Sequence, residues 1–301
     1  MDMKAAVICS KGIGDGLMMM VASHHLQLEG YEVTTFQDHL HELASFFPGH
    51  HFAKRTDSLD LHTFDRIILQ NDNSPLSYAI IDHYRSKLSV FYANYEKGKH
   101  RPLTSLDRVF DRAKPLTHNI ALSISSLLER DLLLNSNGIA LPTDLVHRKY
   151  DQRILIHPTS TTPKRTYPAK KFLKVAQILK AKGYEVVFCV SPQERQPWET
   201  LLQGAFLLPL FPTLKELALY VYESYFLIGN ESGTGHLASN LGIPTLIVAR
   251  CPKQMALWRP GFLLGKVLTP PSYIPNFKGL RLRENKWQYF LSPHRIVQEI
   301  S

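Results

Sequence analysis

The residues best placed to do chemistry lie in four short polar stretches, each following an apolar run. Asp15 sits in Gly12-Ile13-Gly14-Asp15-Gly16, just after Lys4–Ser10. If Lys4–Ser10 is a strand, Asp15 lies at its carboxyl end, where open α/β sheets bind ligands. Asp15 can equally be the N-cap of the helix that follows, and the two roles are compatible. The second stretch is Glu231-Ser232-Gly233-Thr234-Gly235-His236, between a short strand pattern at Tyr225–Ile228 and a helical pattern from His236 to Leu241. A strand-to-helix turn of this kind offers unpaired amides and a positive dipole end, which together make an anion site. Gly233 and Gly235 let a phosphate approach the backbone, and His236 adds a donor in the first turn. A plain βα turn with its own capping network has the same sequence signature. The remaining two stretches are the polar loop carrying Thr159, Ser160 and Lys164, and Ser191-Pro192-Gln193-Glu194.

The elements that must position these residues read as alternating strands and helices. Lys4–Ser10, an apolar helix from Leu17 to near Gly30, and Tyr31–Phe36 form a β-turn-α-β unit. Its glycine spacing is G-x-G-x-G, and no acidic residue ends the second strand, which argues against a nicotinamide cofactor. Phe64–Gln70 and Leu88–Tyr92 read as strands, Ser74–Arg85 and His118–Leu134 as helices, and residues 94–115 as a basic, aromatic loop. Asn135–Tyr150 lacks apolar periodicity and contains Gly138 and Pro142, so a domain boundary is expected there, giving domains 1–148 and 149–301. The second half runs strand Arg153–His157, helix Ala169–Lys182, strand Tyr184–Val190, helix Leu214–Ser224, the turn at 229–235, strand Pro244–Ala249 and a last helix near Pro293–Ile300. That last helix is expected in the second domain or packed back on the first. The fold class is α/β, two doubly wound halves whose strand-end loops are expected to face each other across a cleft.

At 301 residues with 44% hydrophobic and 20% charged residues, the chain is a globular one with room for two domains. A formal charge of +9 favours anionic partners. The basic residues are spread out and no nucleic-acid motif is present, so phosphorylated small molecules and an acidic membrane surface are expected before nucleic acid. Cys9, Cys189 and Cys251 are far apart and odd in number, which fits free thiols in a reducing compartment. The apolar run at the N-terminus is too short for a signal peptide, and no run of about 18 apolar residues occurs; a cytoplasmic protein is expected. The 14 histidines form no convincing ligand set, so no metal site is assigned.

Three segments resemble the lipopolysaccharide heptosyltransferases, glycosyltransferase family 9. Gly12-Ile13-Gly14-Asp15-Gly16-Leu17 is similar to their G-x-G-D-x-L loop. Asn230-Glu231-Ser232-Gly233-Thr234-Gly235-His236-Leu237-Ala238 is similar to N-D-S-G-x-x-H-L-A. His157-Pro158-Thr159-Ser160, with Lys164 and Tyr167-Pro168, resembles their phosphate loop, which runs to K-x-W-P. The order and separation of the three fit nearly the whole chain.

The resemblance implies a GT-B fold of two Rossmann-like domains and a metal-independent, inverting transfer of heptose from ADP-heptose to the lipopolysaccharide inner core, with no cofactor. It implies Asp15 as the base that deprotonates the acceptor hydroxyl, and Lys164 as a cation on the leaving diphosphate. Thr159, Ser160, Lys164, Glu194, Glu231, Ser232, Gly233, Thr234, Gly235 and His236 fall on the donor side, Glu194 at the position of an acidic residue that grips the ribose. Gly14, Lys97, Lys99 and Arg101 are assigned to the acceptor side, facing a phosphorylated lipid-linked saccharide, with peripheral contact at the inner membrane. The sequence departs from the family at Glu231, where aspartate is usual, at Val21, where proline is usual, and at Thr166-Tyr167-Pro168, which replaces Trp-Pro. A GT-B enzyme or epimerase using another nucleotide sugar, and a non-catalytic sugar-nucleotide-binding protein, remain the competing readings.

Overall fold

The computed structural model describes residues 3–56, 58–131 and 133–300. The chain divides into two compact units, Met1–Leu141 and Pro142–Ser301, each built on its own sheet.

In the first unit, β1 (Lys4–Ile8), β2 (Glu32–Phe36), β3 (His51–Ala53), β4 (Arg66–Gln70), β5 (Leu88–Tyr92) and β6 (Arg108–Val109) form a parallel sheet of order β3-β2-β1-β4-β5-β6. Helices α1 (Ile13–Leu28) and α2 (Pro75–His83) make the β1-to-β2 and β4-to-β5 crossovers, and α3 (Leu116–Leu127) follows β6 and packs on α1. Strands such as β5, Leu-Ser-Val-Phe-Tyr, are buried at every residue, as a sheet covered on both faces requires. Ala6, Ile8, Ile67, Leu69, Val90 and Tyr92 supply one face of the core at the two-residue period of a strand. Helix α1 buries Leu17 through Ala22 without a gap, so it is an interior helix rather than an amphipathic one.

The second unit contains β7 (Tyr150–His157), α4 (Ala169–Ala181), β8 (Glu185–Phe188), α5 (Arg195–Leu202), α6 (Leu214–Tyr222), β9 (Ser224–Asn230), α7 (Gly233–Asn240), β10 (Thr245–Val248), α8 (Pro252–Trp258), β11 (Lys266–Leu268), α9 (Leu282–Asn285) and α10 (Pro293–Gln298). Its sheet is parallel with order β11-β10-β9-β7-β8. Helix α10 packs on α4 and buries Ile296 and Val297 in this unit's core, beside Phe172, Leu179 and Trp287.

Several boundaries differ from expectation. Helix α1 starts at Ile13, not Leu17, so Asp15 lies inside its first turn, and Gly12 is the N-cap. Helix α7 starts at Gly233 rather than His236. Helix α3 stops at Leu127, with Glu129 in the left-handed region at φ 52°; Leu132, within the longer helix expected, lies outside the described residues. The 94–115 loop contains the two-residue strand β6.

Candidate active site

Each sheet reverses its direction of winding once. In the first, the chain leaves β1 toward β2 and β3 and returns to the other side of β1 as β4. In the second, it leaves β7 toward β8 and returns to the other side of β7 as β9. The crevice outside the carboxyl ends of the two strands at such a reversal is where open α/β sheets bind ligands, because the flanking loops splay apart there.

Asp15 and Gln70 stand at the reversal of the first sheet, after β1 and at the end of β4. Gln70 is buried; its Nε2 donates to Asp15 Oδ1 at 2.7 Å, and its Oε1 accepts from Ser10 N at 3.0 Å. Gly12 leaves room for the other oxygen, since a β-carbon there would lie 2.7 Å from Asp15 Oδ2. Burial pushes the Asp15 carboxyl above its ordinary range; the Gln70 hydrogen bond opposes this, the Asp72 charge adds to it, and the Arg55 charge opposes it. Asp72 is itself tied to Arg55 Nη2 at 3.0 Å and to Ser77 Oγ at 2.6 Å. Arg55 is nearly inaccessible, and its Nε and Nη1 are buried with no hydrogen-bond partner.

At the second reversal, four segments converge. Asn230, the last residue of β9, is completely buried. Its Oδ1 accepts from Tyr167 N at 2.8 Å and its Nδ2 donates to Pro158 O at 2.7 Å, bolting both ends of the 158–167 loop to the β9 terminus. His157 Nδ1 lies 2.8 Å from Cys189 O; a carbonyl only accepts, so Nδ1 carries the proton and Nε2 faces the Thr159 and Thr234 hydroxyls at 3.3 and 3.5 Å. Burial lowers the His157 pKa, against the opposing Cys189 bond and Glu194 charge. Glu194 accepts through Oε2 from Ser191 N, Ser191 Oγ and Thr159 Oγ1, a half-buried capping-box residue rather than an exposed glutamate.

Around this frame, Ser160 Oγ, Ser232 Oγ and His236 Nδ1 are buried with no hydrogen-bond partner. Native folds satisfy nearly all such atoms, so three orphans at one strand reversal mark a place for a polar ligand. Burial lowers the His236 pKa to about 4, so the ring is neutral at pH 7 and can donate from one nitrogen. Ser232 N-caps α7 without a side-chain capping bond, and the amides of Gly233, Thr234 and Gly235 open the helix with the positive end of its dipole. Arg165 lies 3.5 Å from Glu231. Lys164 is exposed on a 3-10 turn at Pro163–Arg165; its carbonyl accepts from Trp287 Nε1 at 3.1 Å. It lines an open cavity of about 430 Å³ with Pro163, Arg250, Glu284, Asn285, Trp287 and Gln288.

The residues expected on the acceptor side are engaged differently. Gly14 is buried in the first turn of α1. Lys99 pairs with Glu96, and Arg101 makes two 2.9 Å bonds to Asp82, so both cations are already neutralised; Lys97 is exposed. Their strap is tied to the loop after β4 through His100 Nε2 and Asn73 Oδ1 at 2.9 Å. Sequence reasoning missed Gln70, Asn230, Arg55, Arg165 and Arg250 as site residues. The signal for the first two was a polar residue closing an apolar strand run.

Residues 106–251, which span β7, the 158–168 loop, Glu194 and the whole 229–238 turn, match the family model described as Glycosyltransferase family 9 (heptosyltransferase). That segment, just under half of the chain, is similar to glycosyltransferase family 9. The fold agrees with that placement over the whole length. Among solved structures, Escherichia coli ADP-heptose LPS heptosyltransferase II matches with TM-score 0.71 at 18% identity, covering 99% of this chain and 97% of that one. The E. coli heptosyltransferase WaaC with ADP matches with TM-score 0.73 at 14% identity, covering 99% of each chain. A family 9 glycosyltransferase from Veillonella parvula matches with TM-score 0.70 at 17% identity, covering 100% and 97%. At these identities the likeness is one of fold: two parallel α/β sheets, as in the GT-B heptosyltransferases. Sequence comparison with the curated proteins finds no match. The matched segment contains the chemistry-bearing residues around the second reversal, and the likeness supports a glycosyltransferase. Among the described residues, no helix is long and apolar enough to cross a membrane.

Proposed function

We propose that this chain is an inverting glycosyltransferase that moves heptose from ADP-heptose to a phosphorylated, lipid-linked saccharide of the lipopolysaccharide inner core. The observation that carries the reading is the set of three orphaned polar atoms, Ser160 Oγ, Ser232 Oγ and His236 Nδ1, at the β7/β9 reversal. They and the first-turn amides of α7 are donors suited to a diphosphate, and Lys164 adds an exposed cation.

In this mechanism the acceptor hydroxyl oxygen attacks the anomeric carbon from the face opposite the diphosphate. The new C–O bond forms as the bond to the diphosphate oxygen breaks, the configuration inverts, and the hydroxyl proton passes to Asp15. A carboxylate with a raised pKa is a stronger base than an ordinary one and sits nearer the operating pH. Gln70 holds Oδ1, which leaves Oδ2 for the incoming hydroxyl. Charge developing on the leaving diphosphate is met by N–H, O–H and ammonium donors of the second unit. Glu194, fixed through Oε2, keeps Oε1 for a ribose hydroxyl.

A second reading, transfer or epimerisation with another nucleotide sugar, is favoured by one observation: Glu231 is paired with Arg165. A carboxylate held this way reads the sugar differently from the shorter aspartate usual in the family. Thermal shifts across ADP-, UDP- and GDP-sugars separate the two, because a ligand that binds only the native state raises its melting temperature. ADP-heptose is expected to give the largest shift, reduced in Ser160→Ala and Ser232→Ala. A preference for UDP- or GDP-sugars would overturn the heptose reading.

A further inference from the structure

Apart from Glu284, Asn285, Trp287 and Gln288, which line the Lys164 cavity, residues 273–289 carry a surface that neither the catalytic reading nor the fold requires. Tyr273 is 81% exposed, Phe277 61% and Tyr289 75%, and Leu280 and Leu282 are also exposed. Every residue from Phe277 to Leu282, Phe-Lys-Gly-Leu-Arg-Leu, is exposed, so this stretch stands out from the unit. Its shape is set by a tight turn: Phe277 N bonds Leu280 O at 3.2 Å, Leu280 N bonds Phe277 O at 2.9 Å, and Gly279 takes φ +94°. The base of the turn is fixed, with Asn276 Nδ2 on Glu284 Oε1 at 3.1 Å and Arg283 N on Pro275 O at 3.1 Å. Trp287, fully buried, anchors the segment to the core and bonds the Lys164 carbonyl.

Apolar and cationic residues alternate along this turn. Residues 278–286 hold four cations, Lys278, Arg281, Arg283 and Lys286, and one carboxylate, Glu284, which Arg281 approaches at 3.8 Å. Among the described residues Lys278 and Lys286 have no ion-pair partner. A protruding turn that offers aromatic and leucine side chains between unneutralised cations is poorly suited to water or to a flat protein face, and it complements a bilayer with anionic headgroups. The rings and leucines enter the headgroup–acyl boundary while the lysine and arginine heads stay with the phosphates. We propose that residues 273–289 dock the chain on an anionic lipid surface. Since Trp287 ties this segment to the Lys164 loop, docking also brings that loop's cavity close to the bilayer, where a lipid-linked substrate resides. The docking itself does not depend on the transfer reading.

The test is co-sedimentation of the full chain with phosphatidylcholine vesicles, with and without phosphatidylglycerol. The wild-type chain is expected to pellet with the anionic vesicles only, and less so at high salt. Each basic residue at an anionic surface contributes roughly fivefold in partitioning. Phe277→Ser with Leu280→Ser, and separately Lys278→Glu with Arg281→Glu, are each expected to weaken binding at least about tenfold, with unchanged melting temperature. Lys170→Glu with Lys174→Glu, an equal change of net charge on the exposed side of α4, is expected to bind as wild type. Wild type failing to distinguish the vesicles, either turn variant binding normally, or the α4 control losing as much, would overturn the proposal. A turn variant that instead dissolves an oligomer on size-exclusion chromatography would overturn it too, assigning the surface to a second copy.

Discussion

Gln70 holds Asp15 by one oxygen: its Nε2 donates to Asp15 Oδ1 at 2.7 Å while its Oε1 accepts the Ser10 amide at 3.0 Å. The second bond fixes the first, because an amide oxygen facing Ser10 N–H must turn its NH₂ toward the carboxylate. Gln70→Leu removes a side-chain hydrogen bond that favours the charged form of Asp15, so the Asp15 pKa is expected to rise further. A base works only when deprotonated; the acidic limb of the kcat/KM profile should therefore move to higher pH, with kcat down about tenfold and donor affinity unchanged. A pH–rate profile superimposable on wild type would show that Gln70 merely fills space.

The same raised pKa carries a stability cost of known sign. Between the carboxyl's unfolded pKa and its higher folded pKa, the folded chain binds more protons than the unfolded one. Stability from this group therefore falls as pH rises through that window. Asp15→Asn is expected to raise the melting temperature at pH 7, with the gain fading below about pH 4, near the unfolded carboxyl pKa. The comparison is thermal melting of the two chains from pH 3 to 8; a variant less stable than wild type at pH 7 contradicts it.

Asn230 closes two buried backbone groups at once. Asn230→Ala orphans Tyr167 N–H and Pro158 C=O, for about 2–4 kcal/mol of lost stability. Asn230→Asp, the closest shape, keeps the Tyr167 bond but cannot donate to Pro158 O. Urea denaturation should rank wild type above Asn230→Asp and Asn230→Asp above Asn230→Ala, and donor affinity should fall in step, because the loop carrying Ser160 is what comes loose.

Much of this architecture can be read from residue pattern. Strand β5 is a run of five apolar or small residues between breaks in the pattern, and its limits coincide with the pattern. Helix α1 was harder. Its N-cap and first turn carry Gly12, Gly14 and Gly16, which read as loop, yet Gly16 is glycine for close packing: a β-carbon there would meet Gln37 Cγ at 2.8 Å. Composition cannot separate a glycine that bends the chain from one that lets a neighbour in. Strands β3 and β6 have three and two residues, too few to show a period. At the site, types and order were legible, as with Ser160 and His236, but their lack of partners was not, since it depends on which loops Asn230 bolts together. Lys99 and Arg101 looked available for acceptor phosphates; their carboxylate partners, Glu96 and Asp82, are apparent only in three dimensions.

In the proposed reaction one carboxylate takes the acceptor proton while a separate set of donors holds the diphosphate. Steady-state transfer from ADP-heptose by Asp15→Ala, with donor binding measured calorimetrically on the same preparation, tests it most directly. Turnover is expected to fall by about 10²–10⁴-fold, with donor affinity within a factor of about two of wild type. Turnover near wild type, or donor affinity lost along with turnover, would contradict it.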